Sequence, residues 1–90
     1  MAVTVRIPTP LQRMTEGRDE VEADSGTILS VIKTLDTRFP GIGGLISDGE
    51  TIRRFINIYL NDEDIRFLRS EQTEVQDGDE VFIVPAIAGG

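Results

Sequence analysis

The sequence predicts an α+β fold in which a mixed sheet of four to five strands packs on one helix. Three observations predict it. Near the start, apolar Val3, Val5 and Ile7 alternate with Thr4 and Arg6, the period of a half-buried strand. In the interior the spacing changes to four, three and four across Ile28, Ile32, Leu35 and Phe39, which sets all four on one stripe of a helix. Near the end Val81, Phe82, Ile83 and Val84 run without a polar residue, as in a strand covered on both faces or exposing an apolar face to a partner.

The elements follow in chain order. "AVTVRI" is the first strand, closed by Pro8 and Pro10. "RDEVEA" is the second, with Val21 and Ala23 facing in and Glu20 and Glu22 facing out, so residues 8–17 turn between two paired strands. The helix occupies residues 25–39. Ser25 or Thr27 supplies the oxygen that caps its first turn, and Pro40 and Gly41 stop it. Each stripe side chain, if fully buried, contributes ~1.5–3 kcal/mol before entropy is counted, and a helix this size needs a sheet to bury it. "PGIGGLISDGE" reads as a flexible connection, "FINIYL" as a third strand, residues 61–64 as a turn and "IRFL" as a short fourth strand. Asp77-Gly78 then turns the chain into a last strand over residues 80–84. Two hairpins flanking one helix, with the terminal strands adjacent at the centre, describe a β-grasp. The expected organisation is one β-grasp domain, residues 1–84, and a flexible C-terminal Gly-Gly tail, residues 85–90.

Composition narrows the function. Ninety residues, 39% hydrophobic and 28% charged, suit one small globular domain. No apolar run approaches the ~20 residues that span a bilayer, and no charged stretch leads into an apolar one at the start, so a cytoplasmic protein without membrane contact is expected. Cysteine is absent, which removes disulfides and thiolate metal sites. Histidine is absent as well, removing the residue best suited to proton transfer at neutral pH and the commonest metal ligand. Self-contained catalysis and a metal site are therefore not expected. With sixteen acidic groups against nine basic ones, the chain repels a nucleic-acid backbone, and its net charge of -7 favours a basic protein partner.

Other candidate sites have simpler readings. The glycine-rich loop after the helix lacks the Lys-Ser/Thr of a phosphate-binding loop, and it follows a helix where a dinucleotide fingerprint follows a strand. The acids at 62–64 are followed by Ile65 and Arg66 where a calcium loop needs further oxygens. Tyr59 and the hydroxyl residues have no histidine to activate them, and Lys33, the only lysine, projects away from the apolar stripe. The end of the chain is different. Pro85, Ala86, Ile87, Ala88, Gly89 and Gly90 follow the last strand, and six extended residues reach ~20 Å, enough to enter a narrow cleft. Glycine removes side-chain bulk and backbone restriction beside the terminal carboxylate, so the carboxylate of Gly90 is the candidate reactive group.

"VQDGDEVFIVPAIAGG", with Asp77-Gly78-Asp79, the strand Val81 to Val84, Pro85 and Gly89-Gly90, resembles the MoaD/ThiS family of ubiquitin-like sulfur carriers. The resemblance covers nearly the whole chain. "FINIYLNDEDIRF" followed by "PAIAGG" is similar to the CysO-type carriers within it. The resemblance implies that a ThiF/MoeB-like adenylyltransferase, using its own ATP, adenylates the Gly90 carboxylate, and that sulfur then displaces AMP to leave a thiocarboxylate. It implies a cosubstrate rather than an enzyme, with no cofactor bound to this chain. The recipient would be a PLP-dependent cysteine synthase in cysteine biosynthesis. Alternatively the chain is the small subunit of molybdopterin synthase, feeding that enzyme's large subunit, or a thiamine sulfur carrier, or a ubiquitin-like protein modifier. Only one parity of "VFIV" can face the helix, so Phe82 and Val84 are either core or a partner-facing patch. The family resemblance implies the patch, continuous with the tail, and puts Val81 and Ile83 under the helix.

Overall fold

A computed structural model describes residues 2–85. The first strand, β1 (Val3–Arg6), pairs antiparallel with β2 (Glu20–Ala23). The last, β7 (Glu80–Pro85), lies parallel to β1 on one side and antiparallel to β4 (Ile56–Leu60) on the other. A short β5 (Glu63–Asp64) adds to β4, giving the order β2-β1-β7-β4-β5. The terminal strands meet at the centre, and the helix crosses one face. This is the β-grasp arrangement. A second, two-stranded sheet joins β3 (Gly26–Thr27) to β6 (Glu74–Val75), which the sequence did not signal.

Helix α1 (Ile28–Arg38) starts where Thr27 accepts the Ser30 N–H at 3.2 Å. Its buried side chains, Ile28, Val31, Ile32 and Leu35, lie on the inner face of the sheet formed by Val3, Val5, Val21, Ala23, Ile56, Ile58, Val81 and Ile83. Phe39 packs at the edge of this core. Alternation along β1, β2, β4 and β7 therefore sends one parity inward on every strand, as the period of the sequence requires.

Three expectations are corrected. Residues 8–17 are not a simple turn, because Thr9–Thr15 form a 3-10 helix with Leu11 and Thr15 buried. The glycine-rich connection contains a five-residue helix, α2 (Ile42–Ile46), that buries Ile42 and Ile46. The cause is Asp36: its Oδ1 accepts the N–H groups of Gly41 at 3.0 Å and Gly43 at 2.9 Å, satisfying backbone donors at the start of α2. "IRFL" is not a strand. Strand pairing ends at Asp64, whose Oδ1 accepts the Arg66 N–H at 2.9 Å and turns residues Ile65–Phe67 into a 3-10 helix. Ile65 stays buried, while Phe67 is left 82% exposed.

The turns around β7 are tightly bonded. Gly78 has φ 94°, which glycine adopts without strain, and the Asp79 N–H reaches Gln76 O at 2.9 Å. The Asn61 N–H donates to Glu80 O at 2.7 Å, and Asn61 Oδ1 accepts the Glu80 N–H at 3.1 Å. β7 runs one residue beyond Val84 because β4 still offers a partner: Ile56 pairs with Pro85.

Candidate functional site

The site begins where β7 ends. Ala86, Ile87, Ala88, Gly89 and Gly90, singled out from the sequence as tail and reactive terminus, lie outside the described residues. The structure describes what surrounds their root. β7 pairs with β1 as far as Phe82 and with β4 as far as Pro85, so Pro85 is held by β4 at the end of the sheet's middle strand.

Along β7 the parity divides as the family resemblance implied. Val81 and Ile83 are buried beneath α1, while Phe82 is half-buried and Val84 is 41% exposed on the outer face. Their cross-strand partners complete that face. Tyr59 stands opposite Phe82 and Asn57 opposite Val84, with Arg6 opposite Phe82 on the β1 side. Tyr59, Asn61, Asp62, Phe82 and Val84 line a shallow depression there. Tyr59 was not picked from the sequence as part of this surface. The alternation of "FINIYL" carried the signal, since Ile56 and Ile58 inward places Asn57 and Tyr59 outward.

Charge on this face is organised by Arg6. Its Nη1 donates to Glu20 at 2.9 Å, and its Nε and Nη2 donate to Glu80 at 3.1 and 2.9 Å. The bond to Glu80 and the field of Glu20 raise the Arg6 pKa, so the guanidinium stays charged at any physiological pH. It ties three strands together across the outer face, though at 42% exposure each ion pair stabilises little. Two carboxylates surround one cation, and Asp62 adds a third, so the rim of the apolar patch is negative.

A different surface flanks the tail root on the β4 side. Arg53, Arg54 and Phe55 immediately precede Ile56, the residue paired with Pro85, and Phe55 is 55% exposed. Arg53 donates its Nε–H to Gly44 O at 2.7 Å. Arg53, Arg54 and Arg66 line one recess of about 110 Å³ with Asp64, Ser70 and Glu71. Asp64 is bonded by Arg66, Nη2 to Oδ2 at 2.7 Å, which lowers the Asp64 pKa. Glu71 accepts the Ile52 N–H at 2.8 Å. The sequence showed the Arg53-Arg54 pair but not its position, because only the register of β4 on β7 places it.

Comparison with known proteins agrees with the geometry. The profile of the ThiS family matches residues 5–90. The chain is 44% identical over 93 residues to the sulfur carrier protein CysO of Mycobacterium tuberculosis, covering 100% of each. It is 34% identical over 68 residues to small archaeal modifier protein 3 of Haloferax volcanii, covering 74% of this chain and 73% of that one. Among solved structures, that of the Amycolatopsis orientalis BexX/CysO complex matches with a TM-score of 0.93 and 47% identity, over 99% of this chain and 100% of that one.

Proposed function

The chain belongs to the ThiS family, and from that premise we propose that it is a sulfur carrier whose Gly90 carboxylate is adenylated and then converted to a thiocarboxylate. The observation that carries this reading is the extent of the family match, which runs from residue 5 through the Gly89-Gly90 pair. The absence of histidine and cysteine supports the division of labour: the chain supplies the group that reacts, and a partner supplies the catalysis.

The chemistry follows from the carboxylate. A terminal carboxyl group with an ordinary pKa near ~3.5 is ionised at neutral pH and resists nucleophilic attack. A ThiF/MoeB-like adenylyltransferase lets one carboxylate oxygen attack the α-phosphorus of ATP, expelling pyrophosphate. A sulfur nucleophile then attacks the acyl carbon, and AMP leaves with the carboxylate oxygen. The domain contributes position. β7 is anchored between β1 and β4 and stays paired with β4 as far as Pro85, so the tail starts from a fixed point, and glycine at the end lets the partner close tightly around the acyl group. ATP belongs to the activating enzyme, and the carrier is a cosubstrate regenerated after each cycle in the cytosol.

For the recipient, the likeness to CysO carriers supports a PLP-dependent cysteine synthase and thus cysteine biosynthesis. A second reading, a protein modifier, is favoured by the likeness to the archaeal modifier. It shares the activation step and differs in the acceptor, a lysine amine in place of sulfur. The test incubates the chain with a ThiF/MoeB-like enzyme, ATP and sulfide, followed by intact-mass analysis. The carrier reading expects the oxygen-to-sulfur mass increase on wild type and none on a variant lacking Gly90. Higher-mass conjugates without a thiocarboxylate would transfer the assignment to the modifier reading. No change in wild type with any such enzyme would overturn both.

A further inference from the structure

We propose that Arg54 and Phe55, supported by Arg53, form a docking element that the activating enzyme reads with an acidic surface beside its tail-receiving channel. The inference rests on the carrier reading and goes beyond it, because the net charge of the chain points to a basic partner while the tail root points the other way.

Reach is the first argument. Five residues separate Pro85 from the Gly90 carboxylate, and five extended residues span at most ~18 Å. An enzyme that receives Gly90 in a channel must bring its surface close to Pro85. Arg54 and Phe55 precede the residue paired with Pro85, so that surface comes to rest against them.

Charge is the second. The ion pairs among the described residues occupy Arg6 and Arg66, and none of them involves Arg54 or Arg53. Within the same recess Asp64 pairs with Arg66, while Glu71 keeps its charge and accepts the Ile52 N–H. The recess thus carries three guanidiniums against two carboxylates, in a chain with sixteen acids and nine bases. That excess of one cation beside the tail root, carried by Arg54, is electrostatic complementarity to an acidic rim. The 55% exposed Phe55 ring next to it offers the desolvated contact that anchors such a pair.

The experiment measures thiocarboxylate formation by the ThiF/MoeB-like enzyme that converts wild type, over a range of carrier concentrations and salt. Arg54→Glu is expected to raise the carrier KM about tenfold or more with kcat little changed, and to flatten the salt dependence of kcat/KM. Phe55→Ser is expected to raise KM without changing the salt slope. Arg13→Glu is the control, because it makes the same change in net charge at an exposed position in the 3-10 helix between β1 and β2. An Arg54→Glu KM equal to wild type, or equal to that of Arg13→Glu, overturns the docking element while leaving the carrier reading intact. Failure of wild type to be converted overturns the carrier reading, and this inference with it.

Discussion

Phe82 and Ile83 are neighbours on β7, and truncating each to alanine should have different consequences. Ile83 is 3% exposed, paired with Ile58 beneath α1. Removing a buried isoleucine side chain to alanine costs ~2–5 kcal/mol, through lost transfer energy and the cavity left behind. In a domain of this size that lowers the unfolding midpoint by roughly 8 °C to more than 20 °C. Phe82 faces outward, opposite Tyr59 and Arg6, with solvent over it. The loss there is chiefly a cross-strand pair, roughly 1 kcal/mol, or about 4–8 °C. Function should invert the order. If the outer face is where the activating enzyme rests, ~1–2 kcal/mol of lost contact raises the carrier KM by roughly 5- to 30-fold in Phe82→Ala. Ile83→Ala, assayed well below its own midpoint, should keep a near-normal KM. Circular dichroism melts and concentration-dependent thiocarboxylate formation give both readouts. A Phe82→Ala midpoint as low as that of Ile83→Ala would make Phe82 core. An unchanged KM would remove the outer face from the docking surface.

Other consequences follow from local geometry. A Cβ on Gly43 would lie 2.8–2.9 Å from Asp36 Cβ, Cγ and Oδ1, so Gly43→Ala should destabilise wild type. In an Asp36→Gly background, which removes the Cβ, Cγ and Oδ1 together, that loss should disappear, and an equal loss in both backgrounds would refute the Asp36 contact as the reason for glycine. Asp48 accepts the N–H groups of Thr51 and Glu50, which lower its pKa from 3.8 to about 2. With the folded value below the unfolded one, its contribution is complete above about pH 4 and is lost as pH falls through about 2. Urea midpoints followed over that range should decline, and Asp48→Asn should flatten the decline. Gly90→Val should leave the melting midpoint unchanged and abolish the mass increase, and retention of that increase would place the chemistry elsewhere.

The sequence made legible what long periodicities encode. The alternation of Val3, Val5 and of Val21, Ala23 and the stripe through Ile28, Ile32 and Leu35 each repeat often enough to set a face, and each face is where the period put it. Elements held by a distant side chain were not legible. α2 has two glycines among its five residues, and the bonds from Asp36 that hold its start come from another helix. β3 and β6 have two residues each, too few to show a period. "IRFL" alternates like a strand, yet the Asp64 carboxylate takes the Arg66 N–H and curls it. At the site, the period of one strand showed that Phe82 and Val84 share a face but not which face, and only the family resemblance pointed it outward. The place of Arg54 and Phe55 could not, because it depends on which residue of β4 pairs with Pro85.

That dependence bears on specificity. A short tail inserted in a channel fixes one point and one direction, and leaves the domain free to rotate about the tail. Two patches of unlike character on different sides of the root remove that freedom. One is apolar and runs from Val84 near the root along Phe82 and Tyr59 to an acidic far end at Glu80 and Asp62; the other is cationic, Arg53 and Arg54 beside Phe55. An enzyme with the complementary pattern accepts one rotation, and the wrong rotation sets like charges together, which costs several kcal/mol. Partners that share the tail can therefore be told apart by the outer sheet face and the Arg53–Phe55 segment, without any change in the Gly-Gly end. Exchanging the charges with Arg54→Glu and Asp62→Arg, positions that carry no side-chain bond among the described residues, preserves net charge while reversing both ends of the pattern. The swapped chain should keep its melting midpoint within a few degrees and lose activation by the cognate enzyme more severely than either half-swap. Activation of the full swap at the wild-type rate would show that the tail alone is recognised.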